Sequence, residues 1–82
     1  MIRDEIDDRL KEIFEDLFGL AAADIDRSLS PDTFDKWDSL AHIKLVAAIE
    51  ETFTLPLSPE DQGDMLSFEL VGDIVAERIT GK

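Results

Sequence analysis

Cysteine is absent from the 82 residues, so neither disulfides nor thiolate chemistry is available, which fits a reducing compartment. Cations are scarce: 8 Lys and Arg stand against 20 Asp and Glu, for a formal net charge of -12. Phosphate backbones and anionic lipid surfaces are bound by Lys and Arg, so nucleic acid and membrane surfaces are excluded as expected partners. No apolar run has the length of a membrane span, and Met1-Ile2-Arg3-Asp4-Glu5 leads straight into charged, periodic sequence. A signal peptide would carry an apolar stretch there, so no membrane insertion and a cytoplasmic location are expected. The single histidine, His42, has no cysteine partner, and its only nearby serine, Ser39, lies one helical turn back. With no glycine-rich backbone to form an oxyanion site, a catalytic triad has no parts here, and no enzymatic activity is expected. The chain is nonetheless 44% hydrophobic and 34% charged, a balance that favours a folded globule over disorder.

Hydrophobic spacing then sets the elements. Ile2, Ile6, Leu10, Ile13, Phe14, Leu17 and Phe18 recur at intervals of three and four, with Asp7, Asp8, Glu12 and Glu15 between them. The spacing predicts an amphipathic helix that stops at Gly19. Leu20 to Asp38 shows no long period; Ser30 and Pro31 there predict a short capped helical turn. A second helix follows, on which Leu45, Val46, Ile49 and Phe53 form a core-facing cluster. Leu40, Ile43 and Ala47 form a separate apolar stripe, and two readings stay open for it. Either the helix is packed on two sides, or the stripe is an exposed docking surface. Leu55-Pro56-Leu57 breaks the helix, and Ser58-Pro59-Glu60-Asp61 reads as a cap, a first-turn proline and acids for a short helix interrupted by Gly63. The last helix is expected from near Ser67 through Phe68, Val71, Ile74, Val75 and Ile79 to Gly81, with Gly72 inside it to let a neighbouring helix approach. No strand alternation or internal repeat appears. The expected architecture is all-α, a single domain over 1–82: a small bundle of three longer helices plus one short helix, with a long loop between the first and second long helices.

Two constellations bear on chemistry. Asp24, Asp26, Ser28, Ser30, Asp32 and Asp35 match the ligand spacing of a calcium-binding EF-hand loop. Leu29 stands where that loop needs glycine, Pro31 lacks a required N–H, and Asp35 is short for bidentate ligation, so no metal site is expected. The second is "KWDSLAHI", in which Asp38 or Ser39 would cap the second helix. A phosphate on Ser39 would lie at that helix's positive end, beside the apolar stripe that Leu40 begins.

Asp38-Ser39-Leu40, at the start of a helix continuing "AHIKLVAAIEETF", resembles the attachment motif of the acyl carrier protein family. The resemblance extends to the acidic first helix, the long loop, the "SPED" turn and the final helix. It implies that a separate phosphopantetheinyl transferase, using coenzyme A and magnesium, esterifies Ser39 with 4′-phosphopantetheine. Asp38 and Leu40 then flank the attachment, and the arm's thiol carries acyl or aminoacyl groups as thioesters. The chain itself would be a stand-alone carrier and no enzyme, a monomer that serves fatty-acid, polyketide or related specialised biosynthesis. Leu40, Ile43, Lys44, Ala47, Glu50, Glu51 and Met65 are expected to meet the acyl-loading and acyl-processing partners. From Leu45 to Glu77 there is no cation, while Glu50, Glu51, Glu60, Asp61, Asp64, Glu69, Asp73 and Glu77 lie there, which suits steering toward basic surfaces. A long acyl cargo is expected to slip between helices toward Val46, Ile49, Met65 and Leu66. Ala41 and Lys44 stand where fatty-acid carriers are usually acidic, and His42 where a small or hydroxyl residue is common. Trp37 in "KWDSL" looks more like carriers of polyketide-type assembly or D-alanyl transfer. The alternatives are an acidic helical adaptor or calcium-binding module without a prosthetic group, and a degenerate carrier used as a scaffold.

Overall fold

The computed structural model describes residues 2–80, and among them every regular element is helical. Helix α1 spans Arg3–Phe18, α2 Ser39–Phe53, α3 Pro59–Gly63 and α4 Phe68–Thr80, with a 3-10 turn at Ala22–Asp24. Three longer helices and a short one, with the long connection between α1 and α2, are the architecture the periodicity predicts. The end expected at Gly81 lies outside the described residues.

α1 buries Ile6, Leu10, Ile13, Phe14 and Phe18 and leaves Ile2 exposed. Gly19 ends it in the left-handed conformation at φ 67°, where its N–H donates to the Glu15 carbonyl. That is the C-terminal stop a glycine makes at no steric cost. α1 packs against both α2 and α4, and the buried side chains form one cluster. α2 contributes Leu45, Val46 and Ile49 to it, with Phe53 packed at its edge.

The long loop is held by what it does for α4. Pro31 opens only an isolated turn, with Thr33 and Phe34 N–H both donating to the Ser30 carbonyl, and no helix propagates from it. On either side of that turn, Ile25 and Trp37 are buried, and Leu29 and Phe34 pack against the core. Phe68 N–H donates to the Leu29 carbonyl at 2.8 Å and Glu69 N–H to the Arg27 carbonyl at 3.2 Å. Ser67 Oγ accepts from Leu70 N–H, and the Ser67 carbonyl accepts from Val71 N–H. The first donors of α4, orphaned in any helix, are thus satisfied by the loop and by Ser67.

Two local details differ from the sequence expectation. α2 ends before Leu55-Pro56-Leu57, because Thr54 turns left-handed at φ 52°. A β-branched residue in that conformation is strained by roughly 1–2 kcal/mol. Thr54→Gly is therefore expected to raise stability by about 1 kcal/mol, after the larger unfolded-state freedom of glycine is counted. Urea titration checks this, and a destabilised variant would contradict it. Gly72 makes room for a side chain and not for a helix backbone. A Cβ there would stand 2.5 Å from Arg3 Nη2 and 3.1 Å from Asp7 Oδ1. Arg3 lies across this gap, bonded to Asp7 at 3.0 Å and Asp73 at 2.8 Å. The Asp73 and Asp7 carboxylates hold its guanidinium pKa above the ordinary value.

α3 is short and heavily tied. Ser58 Oγ accepts from Asp61 N–H while Asp61 accepts from Ser58 N–H, a reciprocal cap with Pro59 at the first helical position. Asp61 is only 6% exposed and receives Arg78 of α4 through Nε at 2.8 Å and Nη2 at 2.6 Å. Asp61 is thus a buried structural anchor, a correction to its place among the expected steering acids. The Arg78 hydrogen bonds, opposed by desolvation and helped by Ser58, hold its pKa down to about 2 from the ordinary 3.8. A depressed carboxylate pKa gives stability that is complete above the unfolded value and vanishes as pH falls through the folded one. Asp61→Asn is expected to cost about 2 kcal/mol at neutral pH. Denaturation across pH should show that gap narrowing from about pH 4 downward and closed below about pH 2. A gap that did not change with pH would remove the ion pair as its cause.

Candidate functional site

Ser39 is the first residue of α2, and its neighbour Asp38 is the cap: Asp38 Oδ1 accepts from Ala41 N–H at 2.9 Å. The capping explanation open to either residue is therefore taken by Asp38. Ser39 is exposed, and its hydroxyl has no hydrogen-bond partner among the described residues. The first-turn amides of α2 point outward at the positive end of the helix dipole, with no acid inside that turn.

The second apolar stripe of α2 is uncovered. Leu40 is 62% and Ile43 67% exposed, and Lys44 and Ala47 are exposed beside them. Met65 does not share that surface: it is 1% exposed and belongs to the core. The exposed place is taken by the next residue, Leu66, at 61%. The sequence offered Met65 both as a partner contact and as part of the interior, because the turn after Gly63 has no period that distinguishes 65 from 66. Glu51 is exposed, but Glu50 is half-buried, and its Oε2 accepts from Leu57 N–H at 2.9 Å. Glu50 thus closes the α2–α3 connection, and its carboxylate is engaged within the fold. With Asp61 and Asp73 held by Arg78 and Arg3, the exposed acids of the 45–77 segment without an ion pair among the described residues are Glu51, Glu60, Asp64, Glu69 and Glu77.

Beside Ser39 opens a cleft of about 490 Å³, lined by Pro31, Trp37, Asp38, Ser39, His42, Ile43, Gln62, Gly63, Met65 and Leu66. It brings the loop, α2 and α3 together around the serine. Trp37, 2% exposed, meets Phe14 edge-on at 5.2 Å and stacks against His42 at 6.2 Å with 19° between the rings. Trp37 Nε1–H donates to His42 Nδ1 at 3.0 Å. An indole only donates and a carbonyl only accepts, so the neutral ring is the Nε2–H tautomer, donating to the Gln62 carbonyl at 2.8 Å. Both ring nitrogens are thereby committed away from Ser39. Trp37 was legible in the sequence only as part of a motif. Its burial, and that of Ile25, follow from apolar residues in a stretch without period.

The acids between Asp24 and Asp35 do not converge. Asp26 Oδ1 accepts from the backbone and hydroxyl of Ser28, and those bonds lower its pKa. Among the described residues no group of three or more His, Cys, Asp or Glu side chains is arranged to hold a metal ion. No described helix is long and apolar enough to cross a membrane. Compared with protein-family models and with curated proteins, the chain gives no match.

Proposed function

We propose that this chain is a stand-alone acyl carrier, active after 4′-phosphopantetheine is attached to Ser39. The observation that carries this is a serine hydroxyl left free at the first position of a helix whose cap is supplied by its neighbour. The cap bond that would give a serine here a structural role is made by Asp38 instead, so the Ser39 hydroxyl is not spent on the fold. The surroundings fit the group: an exposed Ser39 between the cleft and the uncovered Leu40 and Ile43. In the attachment step Ser39 Oγ forms a bond to the β-phosphorus of coenzyme A. The pyrophosphate bond breaks, adenosine 3′,5′-bisphosphate leaves, and the serine proton passes to a base of the transferase. When attached, the arm supplies a thiol, absent from this cysteine-free chain, on which acyl or aminoacyl groups ride as thioesters.

The chain's own residues serve presentation. Asp38 holds the first turn of α2 so that Ser39 faces outward. Leu40, Ile43 and Leu66 form the apolar contact area, and the exposed acids steer it toward basic rims of cytoplasmic partner enzymes. The test is intact-mass measurement after incubation with coenzyme A, magnesium and a phosphopantetheinyl transferase. One added phosphopantetheine is expected; an unchanged mass with a transferase active on another carrier would refute the reading in favour of an adaptor.

A further inference from the structure

The cleft beside Ser39 is floored by a chain of hydrogen bonds that spans the space between α2 and α3. Trp37 Nε1–H donates to His42, and His42 donates to the Gln62 carbonyl on α3. A flexible arm hanging from Ser39 can enter the cleft mouth between Ile43 and Leu66. His42 and Gln62 both line this cleft, and their bond ties α2 to α3 across the space that alkyl carbon bound for Val46 and Ile49 would have to open. Opening that space separates α3 from α2 and leaves the imidazole Nε2–H and the Gln62 carbonyl without partners in a half-buried place. α3 has little freedom to swing aside, since Asp61 is fastened to Arg78 of α4 and closes the cap with Ser58. Leu45 and Ile49 are fully buried in the core and do not line the cleft.

Resting on the carrier reading of Ser39, we propose that His42 is a specificity-determining residue whose bridge to Gln62 closes the interior to long alkyl chains. The cargo class is then short acyl or aminoacyl groups, held at the cleft mouth. A long chain stays outside, against Leu40 and Leu66. This departs from the expectation of an alkyl chain drawn between the helices. It assigns the departure to one side chain.

The experiment loads Ser39 from acetyl- or decanoyl-coenzyme A with a transferase, in the native chain and in His42→Ala. Methyl NMR of Val46 and Ile49, which do not line the cleft, reports entry, and hydroxylamine cleavage reports exposure of the thioester. In the native chain decanoyl loading is expected to leave those methyl signals where acetyl loading leaves them, and both thioesters are cleaved at similar rates. In His42→Ala the decanoyl form is expected to shift the core methyls and to slow cleavage by roughly tenfold, about the effect of removing one net hydrogen-bond barrier. Trp37→Phe keeps an aromatic ring, though a smaller one, and frees Nδ1, and it guards against a misfolded His42→Ala; it should give the same changes to a smaller extent. Core shifts in the decanoyl-loaded native chain would overturn the filter while leaving Ser39 as the carrier site. Exclusion of decanoyl by folded His42→Ala would likewise overturn it. Failure of every form to gain mass would instead refute the carrier reading, and the filter with it.

Discussion

Trp37→Ala is expected to lose about 4 kcal/mol of stability, the largest effect of any single substitution described. A domain of this length has roughly 4–12 kcal/mol in total, so the variant is expected to be partly or wholly unfolded at room temperature. The indole is almost wholly buried and touches both the core and the site. It packs on Phe14 at 5.2 Å and Phe18 at 6.2 Å while its N–H holds His42. Truncation leaves a cavity at the base of the loop, and the loop's carbonyls at Arg27 and Leu29 then lose their register on α4. Trp37→Phe is the milder change: it keeps one aromatic ring but loses the hydrogen bond and part of the buried indole, for an expected cost of about 2–3 kcal/mol. Equilibrium unfolding in urea gives both values, and equal costs for the two variants would show that packing contributes little.

Ser39→Ala is expected to abolish attachment completely while leaving stability within about 0.5 kcal/mol, since alanine is a better helix former and no hydrogen bond is lost. Asp38→Ala is its counterpart. It removes the cap of α2, costs about 1 kcal/mol and leaves the acceptor hydroxyl in place. Mass spectrometry and thermal melting on the same samples therefore separate the two roles. A folded Ser39→Ala chain that still gained phosphopantetheine would place the acceptor elsewhere and end the carrier proposal in its present form.

The helices and the place of Ser39 at the start of α2 were legible in the sequence because their causes are local. α1 is written in an apolar spacing of three and four, its end in one glycine, and α3 in a serine, a proline and an acid within four positions. The core stripe of α2 was legible for the same reason. Three features of the site were not. Met65 and Leu66 differ by one position in a turn that has no period, so only burial in the common core tells which points inward. Asp61 and Glu50 carry the same formal charge as the solvated acids around them. Arg78, distant in sequence, distinguishes the first; the backbone N–H of Leu57 distinguishes the second. The Trp37–His42–Gln62 relay joins three elements, and each residue alone has an ordinary explanation.

Charge, the absence of thiols, the number of helices and the position of Ser39 at a helix start were set by the order of residues, because each depends on neighbours within a turn or on simple counts. Whether the Leu40 and Ile43 stripe would be covered was decided only when α1 and α4 had packed together and α3 had been drawn to Arg78. Burial is a property of the space between elements, and one helix's sequence carries no record of which of its faces another will reach.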